Sequence, residues 1–292
     1  MASQICLTDK MQKNAYCTPA YANGVCYFRG DGDLLYWLSL AEDTKAEAQQ
    51  SVKCLSTPYW ALDGFLYFQG DGNKLIKMGA QWPYLHANLG ELTCNGPPVA
   101  SDGYVYFLVD GAKVMRAGTR DPLDTSTCAT GVGASPPVIP TMSKTSMYYS
   151  ETNGTIREIG IERGKKPGEG NEFTDQKTTQ PMLACVDGYL YFLVDKTLHR
   201  YGLGNVTLHD SITLTHTVKG GVKAFQFGFD KRVYYLADDG YLYGLTVDPW
   251  PKVAPTATAL CTVKMASAPC PGPAGFLLCQ GADNKLYKIP TT

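Results

Sequence analysis

No stretch of this sequence approaches 18 consecutive apolar residues, so no segment has the length and apolarity of a membrane-spanning helix. An excess of charge of one sign is also lacking. The 26 Lys+Arg oppose 27 Asp+Glu, a formal net charge of -1, which excludes nucleic acid or an anionic membrane held by bulk electrostatics. Charged residues make up only 18% of the chain against 44% apolar, too apolar a balance for disorder. Runs of Ala, Glu, Lys and Leu at helical spacing are scarce outside residues 40–53. Short chemical signatures are missing as well. There is no Cys-x-x-Cys, no His-x-x-x-His, no Gly-x-Ser-x-Gly and no Gly-Lys-Ser/Thr loop, so zinc, dithiol, serine-hydrolase and nucleotide chemistry lack their residues. No cofactor and no metal is expected. Residues 1–17 carry Asp9, Lys10 and Lys13 and no apolar leader core. The expectation is therefore a cytoplasmic protein, or an extracellular one if a leader has been removed.

What is abundant is Gly (30), Tyr (19) and Pro (18), a usage that favours short strands and tight turns. One pattern recurs seven times: a Pro, a few residues, then Gly-x-aliphatic-Tyr-Phe, a turn and an apolar-x-Lys/Arg strand. Its copies are Asn23-Gly-Val-Cys-Tyr-Phe28, Asp63-Gly-Phe-Leu-Tyr-Phe68, Asp102-Gly-Tyr-Val-Tyr-Phe107, Lys144-Thr-Ser-Met-Tyr-Tyr149, Asp187-Gly-Tyr-Leu-Tyr-Phe192, Asp230-Lys-Arg-Val-Tyr-Tyr235 and Ala274-Gly-Phe-Leu-Leu-Cys279. Taking Tyr27, Tyr67, Tyr106, Tyr148, Tyr191, Tyr234 and Leu277 as equivalent, the steps run from 39 to 43 residues.

A period near 40 with four short strands per unit is the signature of a β-propeller blade. The expectation is one all-β domain over residues 1–292: a seven-bladed β-propeller of four-stranded antiparallel blades. The alternating Tyr-Phe pair on strand 2 should place one ring on each face of its sheet, between blades. Gly30-Asp31-Gly32, Gly70-Asp71-Gly72, Asp110-Gly111, Asn153-Gly154 and Asp239-Gly240 supply the positive φ of the strand 2–3 hairpins. The last repeat stops after strand 3, and residues 3–8 form an orphan apolar-alternating stretch. That N-terminal strand should complete the last blade and close the ring, since an open array exposes two edges. Residues 160–179 read as a polar excursion between strands of blade 4, and residues 41–50 as a short helical turn.

Gly-x-Val/Leu-Tyr-Phe followed by Gly and an apolar-x-Arg strand, as in residues 105–116 and 147–159, resembles the YWTD-type propellers of lipoprotein receptors, although the Tyr-Trp-Thr-Asp tetrad is nowhere intact. Residues 97–114 and 276–287 resemble the seven-bladed propeller lectins of the tectonin and Photorhabdus kind. That resemblance implies carbohydrate binding. Those lectins place a Trp in most strand-3 segments, and here only Trp37 holds such a place.

Cys54, Cys94, Cys128 and Cys261 recur 12 to 20 residues before each Tyr-Phe point and read as small buried hydrophobes. Cys6, Cys17, Cys26, Cys270 and Cys279 all fall near the closing blades, where one disulfide could staple the ring in an oxidising compartment. His199, His209 and His216 lie within blade 5 and read as strand and loop histidines rather than ligands. Arg29-Gly30-Asp31 is explained by turn chemistry, as are the acidic pairs Asp31/Asp33 and Asp238/Asp239.

The aromatics outside the repeat stand out. Tyr59 and Trp60 lie on an inner strand, Trp82 and Tyr84 in a strand 3–4 connection, and Trp250 between Pro249 and Pro251. Rings beside turn Asp and Asn suit stacking on sugars, or anchoring of a protein partner. These five are the candidate ligand-binding residues. Three functions fit: a binding propeller for a glycan or small molecule, an enzyme with one active site at the central channel, and a protein-interaction platform using loop 160–179. The first is the leading expectation.

Overall fold

The computed structural model describes residues 4–13, 17–41, 47–61, 63–79, 86–110, 112–133, 145–162, 170–178, 183–186, 188–219, 225–227, 232–253 and 258–291. In chain order the strands are β1 (Ile5–Thr8); β2 (Ala20–Ala22), β3 (Val25–Arg29), β4 (Leu34–Ser39) and β5 (Glu47–Lys53); then β6 (Tyr59–Trp60), β7 (Phe65–Gln69), β8 (Lys74–Gly79) and β9 (His86–Thr93). Next come β10 (Val99–Ser101), β11 (Tyr104–Val109), β12 (Lys113–Gly118) and β13 (Thr125–Thr130), followed by β14 (Ser146–Ser150), β15 (Thr155–Gly160) and β16 (Asn171–Lys177). The remainder are β17 (Leu183–Val186), β18 (Tyr189–Val194), β19 (Thr197–Gly202) and β20 (His209–Thr213); β21 (Phe225–Phe227), β22 (Arg232–Leu236) and β23 (Leu242–Thr246); and β24 (Cys270–Pro271), β25 (Phe276–Gln280) and β26 (Leu286–Pro290).

Among the described residues these strands form seven antiparallel sheets, numbered one to seven in that order. Sheets four (β14–β16) and six (β21–β23) have three strands each, and the other five have four. Sheet seven runs β1-β26-β25-β24, so the N-terminal strand is its outer member: Ile5 lies opposite Lys288 and Cys6 opposite Tyr287. The chain divides into two compact units. One, Met1–Pro58 with Ile212–Thr292, carries sheets one, six and seven; the other, Tyr59–Ser211, carries sheets two to five.

Within the second unit the core is built as the strand-2 alternation predicts. Tyr67 of sheet two packs with Val105 and Phe107 of sheet three. Tyr106 of sheet three packs with Met147 and Tyr149 of sheet four. Tyr148 of sheet four packs with Leu190 and Phe192 of sheet five. The Tyr thus points to the next sheet while its flanking residues point back, because neighbouring side chains leave a strand on opposite faces. In the first unit Phe28 and Cys26 of sheet one meet Leu278 and Leu286 of sheet seven. Each such ring is fully buried, which contributes about 2–3 kcal/mol.

Side-chain hydrogen bonds tie the far end of strand 2 to chain segments beside it. In the second unit the Gln69 side chain accepts the Gly96 N–H at 3.2 Å. In the first unit Arg29 donates to Leu55 O at 3.1 Å and to Asp33 Oδ1 at 2.8 Å, and Gln280 accepts the Cys17 N–H at 3.2 Å. The guanidinium of the Arg-Gly-Asp tripeptide is therefore a structural tie. At the other end, Asp102 (φ 49) and Gly103 (φ 83) form the turn between β10 and β11, with both central residues in the left-handed region that two-residue hairpins need.

Several sequence expectations need correction. Residues 47–50 are part of strand β5 rather than a helical turn, because they extend sheet one opposite Tyr36 and Trp37. The expected excursion 160–179 contains β16, which pairs with β15, so its second half is sheet rather than loop. The seventh equivalent of Tyr67 is Leu278, not Leu277: Leu278 faces Lys288 as Tyr67 faces Lys77. His216 belongs with sheet six, where it stacks on Tyr243 with centroids 4.0 Å apart. All ten cysteines are free thiols, so no disulfide staples the closing sheet.

Candidate binding surface

Each sheet has two ends. Strand 2 leaves the turn after strand 1, and antiparallel strand 3 returns to that same end before the chain crosses to strand 4. In sheet three Tyr104, first in β11, faces Gly118, last in β12; in sheet two Phe65 faces Gly79. The opposite end carries the Asp/Gly/Asn hairpins.

The strand 3–4 end is where apolar residues reach solvent. Among the described residues the exposed large hydrophobics are Ile5, Leu123, Val206, Leu208 and Val253. Leu123 (90% exposed) lies between β12 and β13, and Val206 and Leu208 between β19 and β20. Val253 (79% exposed) follows β23, and Ile5 begins β1, whose first residue lies at this end of sheet seven. The connections of sheets three and five are held by hydrogen bonds. In sheet three the Tyr104 hydroxyl donates to Asp124 Oδ2 at 2.7 Å, and the Leu123 N–H donates to Asp121 Oδ1 at 3.1 Å. In sheet five Gly202 N–H donates to Leu208 O at 2.9 Å, and Thr207 N–H to Asn205 Oδ1 at 3.0 Å.

The same end carries a repeated aromatic–cation pair, because strand 2 starts with a ring and strand 3 has its Lys or Arg two residues before its end. Lys77 Nζ lies 4.0 Å from the Phe65 centroid, the Arg116 guanidinium 4.4 Å from Tyr104, the Arg200 guanidinium 4.6 Å from Tyr189, and Lys288 Nζ 4.1 Å from Phe276. Cation–π contacts of this kind contribute about 0.5–1 kcal/mol where solvated. The seven residues opposite the strand-2 Tyr positions are Trp37, Lys77, Arg116, Glu158, Arg200, Gly244 and Lys288. They are too unlike one another to make seven equal sites. Burial lowers the Lys77 ammonium below its ordinary value, offset in part by Asp63.

Tyr59 and Trp60 lie side by side on β6, the edge strand of sheet two, pairing with Tyr67 and Leu66; both are half-buried. The Tyr59 hydroxyl reaches Ala100 O of β10 at 3.5 Å, and its ring packs against the Tyr67–Phe107 core, so burial pushes the phenol pKa up. Tyr59 is a packing residue. Trp60 stands on the other face of the strand. Trp250 is half-buried in the segment after β23, behind a cis Asp248–Pro249 bond. Trp82 and Tyr84 lie outside the described residues, as do residues 163–169 of the expected contact loop. The exposed aliphatics were missed by sequence reading, yet their signal was present: Asp121-Pro-Leu-Asp124 and Pro251-Lys-Val253 set an apolar side chain among turn formers.

A second cluster lies at the outer side of sheet five. His199 on β19 and His209 on β20 bring Nδ1 and Nε2 to 3.1 Å, with ring planes 9° apart. His209 stacks on Tyr201 at 4.1 Å and His199 on Phe192 at 5.4 Å. Burial, with His209 beside it, holds the His199 imidazole below its ordinary pKa.

Comparison with solved structures connects these sheets to a known fold. BamB from Moraxella catarrhalis superposes with a TM-score of 0.65 at 11% identity, over 98% of this chain and 99% of that one. A chain of the mitotic checkpoint complex gives 0.68 at 10% identity, over 99% and 93%. A catalytically inactive virginiamycin B lyase from Staphylococcus aureus, with quinupristin, gives 0.67 at 11% identity, over 99% of both chains. The chain has a β-propeller fold. At such identities the likeness extends to fold alone. No protein-family model matches the sequence, and no curated protein does.

Proposed function

We propose that this chain is a ligand-binding propeller whose seven sheets are the blades of one ring, closed by β1, and that it engages a protein partner through the strand 3–4 ends of its sheets. The observation that carries this reading is the confinement, among the described residues, of the exposed large hydrophobics to those ends. Scattered exposed apolar side chains need no explanation, but four of these five, Leu123, Val206, Leu208 and Val253, follow strand 3 of their sheets, and that does. Burying Leu123 or Val253 in an interface contributes about 1.5–3 kcal/mol each, and the ring–cation pairs at this end of sheets two, three, five and seven add the mixed apolar and basic character common at interface centres. A polar turn at the opposite end offers no such area. One structural relative is a chain of the mitotic checkpoint complex, and so part of a protein assembly, though it shares only the fold.

The second reading, a carbohydrate-binding propeller of the tectonin kind, is supported by Trp60 on the inner edge of sheet two and by the lectin-like turn motifs. Unequal strand-3 residues argue for one sugar site rather than seven. The two readings separate in a single set of variants. Leu123→Asp and Val253→Asp are expected to weaken binding of a captured protein partner at least about tenfold, equivalent to 1.4 kcal/mol, with melting unchanged. A glycan array with free-sugar competition tests the other. Competable binding to one sugar class, abolished by Trp60→Ala and untouched by the two Asp variants, would replace the protein partner with a glycan.

A further inference from the structure

His199 and His209 occupy adjacent strands of one sheet, with side chains on the same face. β19 places His199 and Tyr201 on that face, and β20 brings His209 over the Tyr201 ring. Two neutral imidazoles that approach through ring nitrogens share one hydrogen, one ring donating and the other accepting. Nothing about the core requires this pairing. Phe192, Tyr201 and Phe173 already fill the hydrophobic layer beneath.

The spacing suits another occupant. Two nitrogens each about 2.0–2.1 Å from a metal ion and 3.1 Å from one another subtend about 98° at that ion, between square-planar and tetrahedral values. The nearest acid and base on this pair of strands, Asp210 and Arg200, are spent on each other: Arg200 Nε donates to Asp210 Oδ2 at 2.8 Å, and both are one residue out of phase with the histidines, on the opposite face. Half-buried His199 is fixed by its stack on Phe192, whereas exposed His209 borders solvent, so an ion can enter from outside and keep water in its remaining positions.

We propose that His199 and His209 form a two-imidazole site for a divalent late transition-metal ion, of which Ni²⁺ and Cu²⁺ fit best by ligand type and angle. Uptake requires both facing nitrogens to offer lone pairs. The hydrogen now held between them is carried instead on the outer nitrogen of its own ring, and each imidazole turns about its Cβ–Cγ bond. The neutral pair therefore takes up the ion with no net change in bound protons. Among the described residues no group of three or more His, Cys, Asp or Glu is arranged for a metal, so this site is a two-residue chelate completed by water.

Calorimetric titration of the full chain with Ni²⁺ tests the assignment. The expected result is one equivalent bound, with affinity reduced about tenfold or more in His209→Gln and in His199→Gln, and unchanged in His216→Gln. Because His209 is exposed, His209→Gln leaves the fold intact, which an unchanged melting temperature without metal verifies. The difference spectrum of the Ni²⁺ complex is expected to report nitrogen ligands and to vanish in the same two variants. Retention of the Ni²⁺ equivalent in both variants, or its loss in His216→Gln instead, overturns the proposal.

Discussion

Two glycines with similar sequence surroundings are constrained by different physics. Gly103 sits at φ 83 in an open turn, and a Cβ built there meets nothing within 4 Å. Its replacement by Ala costs only backbone strain, about 1–2 kcal/mol for a left-handed residue. Gly30 has an ordinary φ of -114, but its Cβ would overlap the Tyr36 ring and lie 2.7 Å from Lys10 O. There the Ala substitution forces Tyr36 and the Lys10 strand connection apart, an overpacking cost added to a loss of ring packing. Thermal melts should rank Gly30→Ala below Gly103→Ala, and both below the parent. The reverse order would mean that Tyr36 yields freely. From the sequence the two glycines look alike, since each begins or sits within a Gly-Asp or Asp-Gly turn; only the fold brings Tyr36 over one of them.

At the scale of elements, the decisive strand is β1. It pairs with β26 from Ile5 to Thr8, with a register shift before Thr8, and half-buried Leu7 packs beside Met11, Phe28 and Leu286. Deleting residues 1–8 exposes the β26 edge and removes that contact. The expected outcome is a melting temperature lower by several degrees, about 2–4 °C per kcal/mol for a chain of this size or slightly smaller. An unchanged value would show that sheet seven is complete without β1 and that the ring needs no such closure. The orphan strand was legible because the last repeat visibly lacks a fourth strand. The strand 3–4 bulges were not. Register shifts at Leu34/Tyr36, Lys74/Ile76, Val114/Met115 and Thr155/Arg157 recur in sheets one to four, yet no residue type marks them, because a bulge is a compromise between two paired strands. The same blindness hid β16 and the first residues of β5, whose polar sequences become strand only through partners already in place.

For the molecule as a whole, ten thiols serve as reporters of packing. Cys26, Cys54, Cys94, Cys128, Cys261 and Cys279 are buried, and desolvation raises their pKa values, to about 12 for Cys94, Cys128 and Cys279. Half-buried Cys270 is likewise pushed up to about 12, and burial raises Cys185 as well. Cys6 is the exposed one. A thiol reagent added to native protein at pH 8 should therefore label about one thiol rapidly and the rest only as sheets open or the chain unfolds. Cys6→Ser should remove the fast phase. Several fast thiols in that variant would mean that the inter-sheet cores breathe far more than their burial indicates.

Sequence alone determined that this chain is an array of short antiparallel strands with a period near 40, because strand alternation, hairpin glycines and inter-blade Tyr-Phe pairs are local requirements repeated in every unit. It also determined that no long apolar helix, dithiol or nucleotide loop is encoded. Tertiary structure decided which surface residues hold equivalent places in their own sheets. Leu123, Val206, Leu208 and Val253 become comparable only when each strand 3–4 connection is seen to leave the same end of its sheet. His199 and His209 meet only because β19 and β20 pair in one register out of several that a ten-residue separation allows. Such placements depend on pairing between segments whose sequences carry no mark of the partner, and that is why the fold was read more fully than the site.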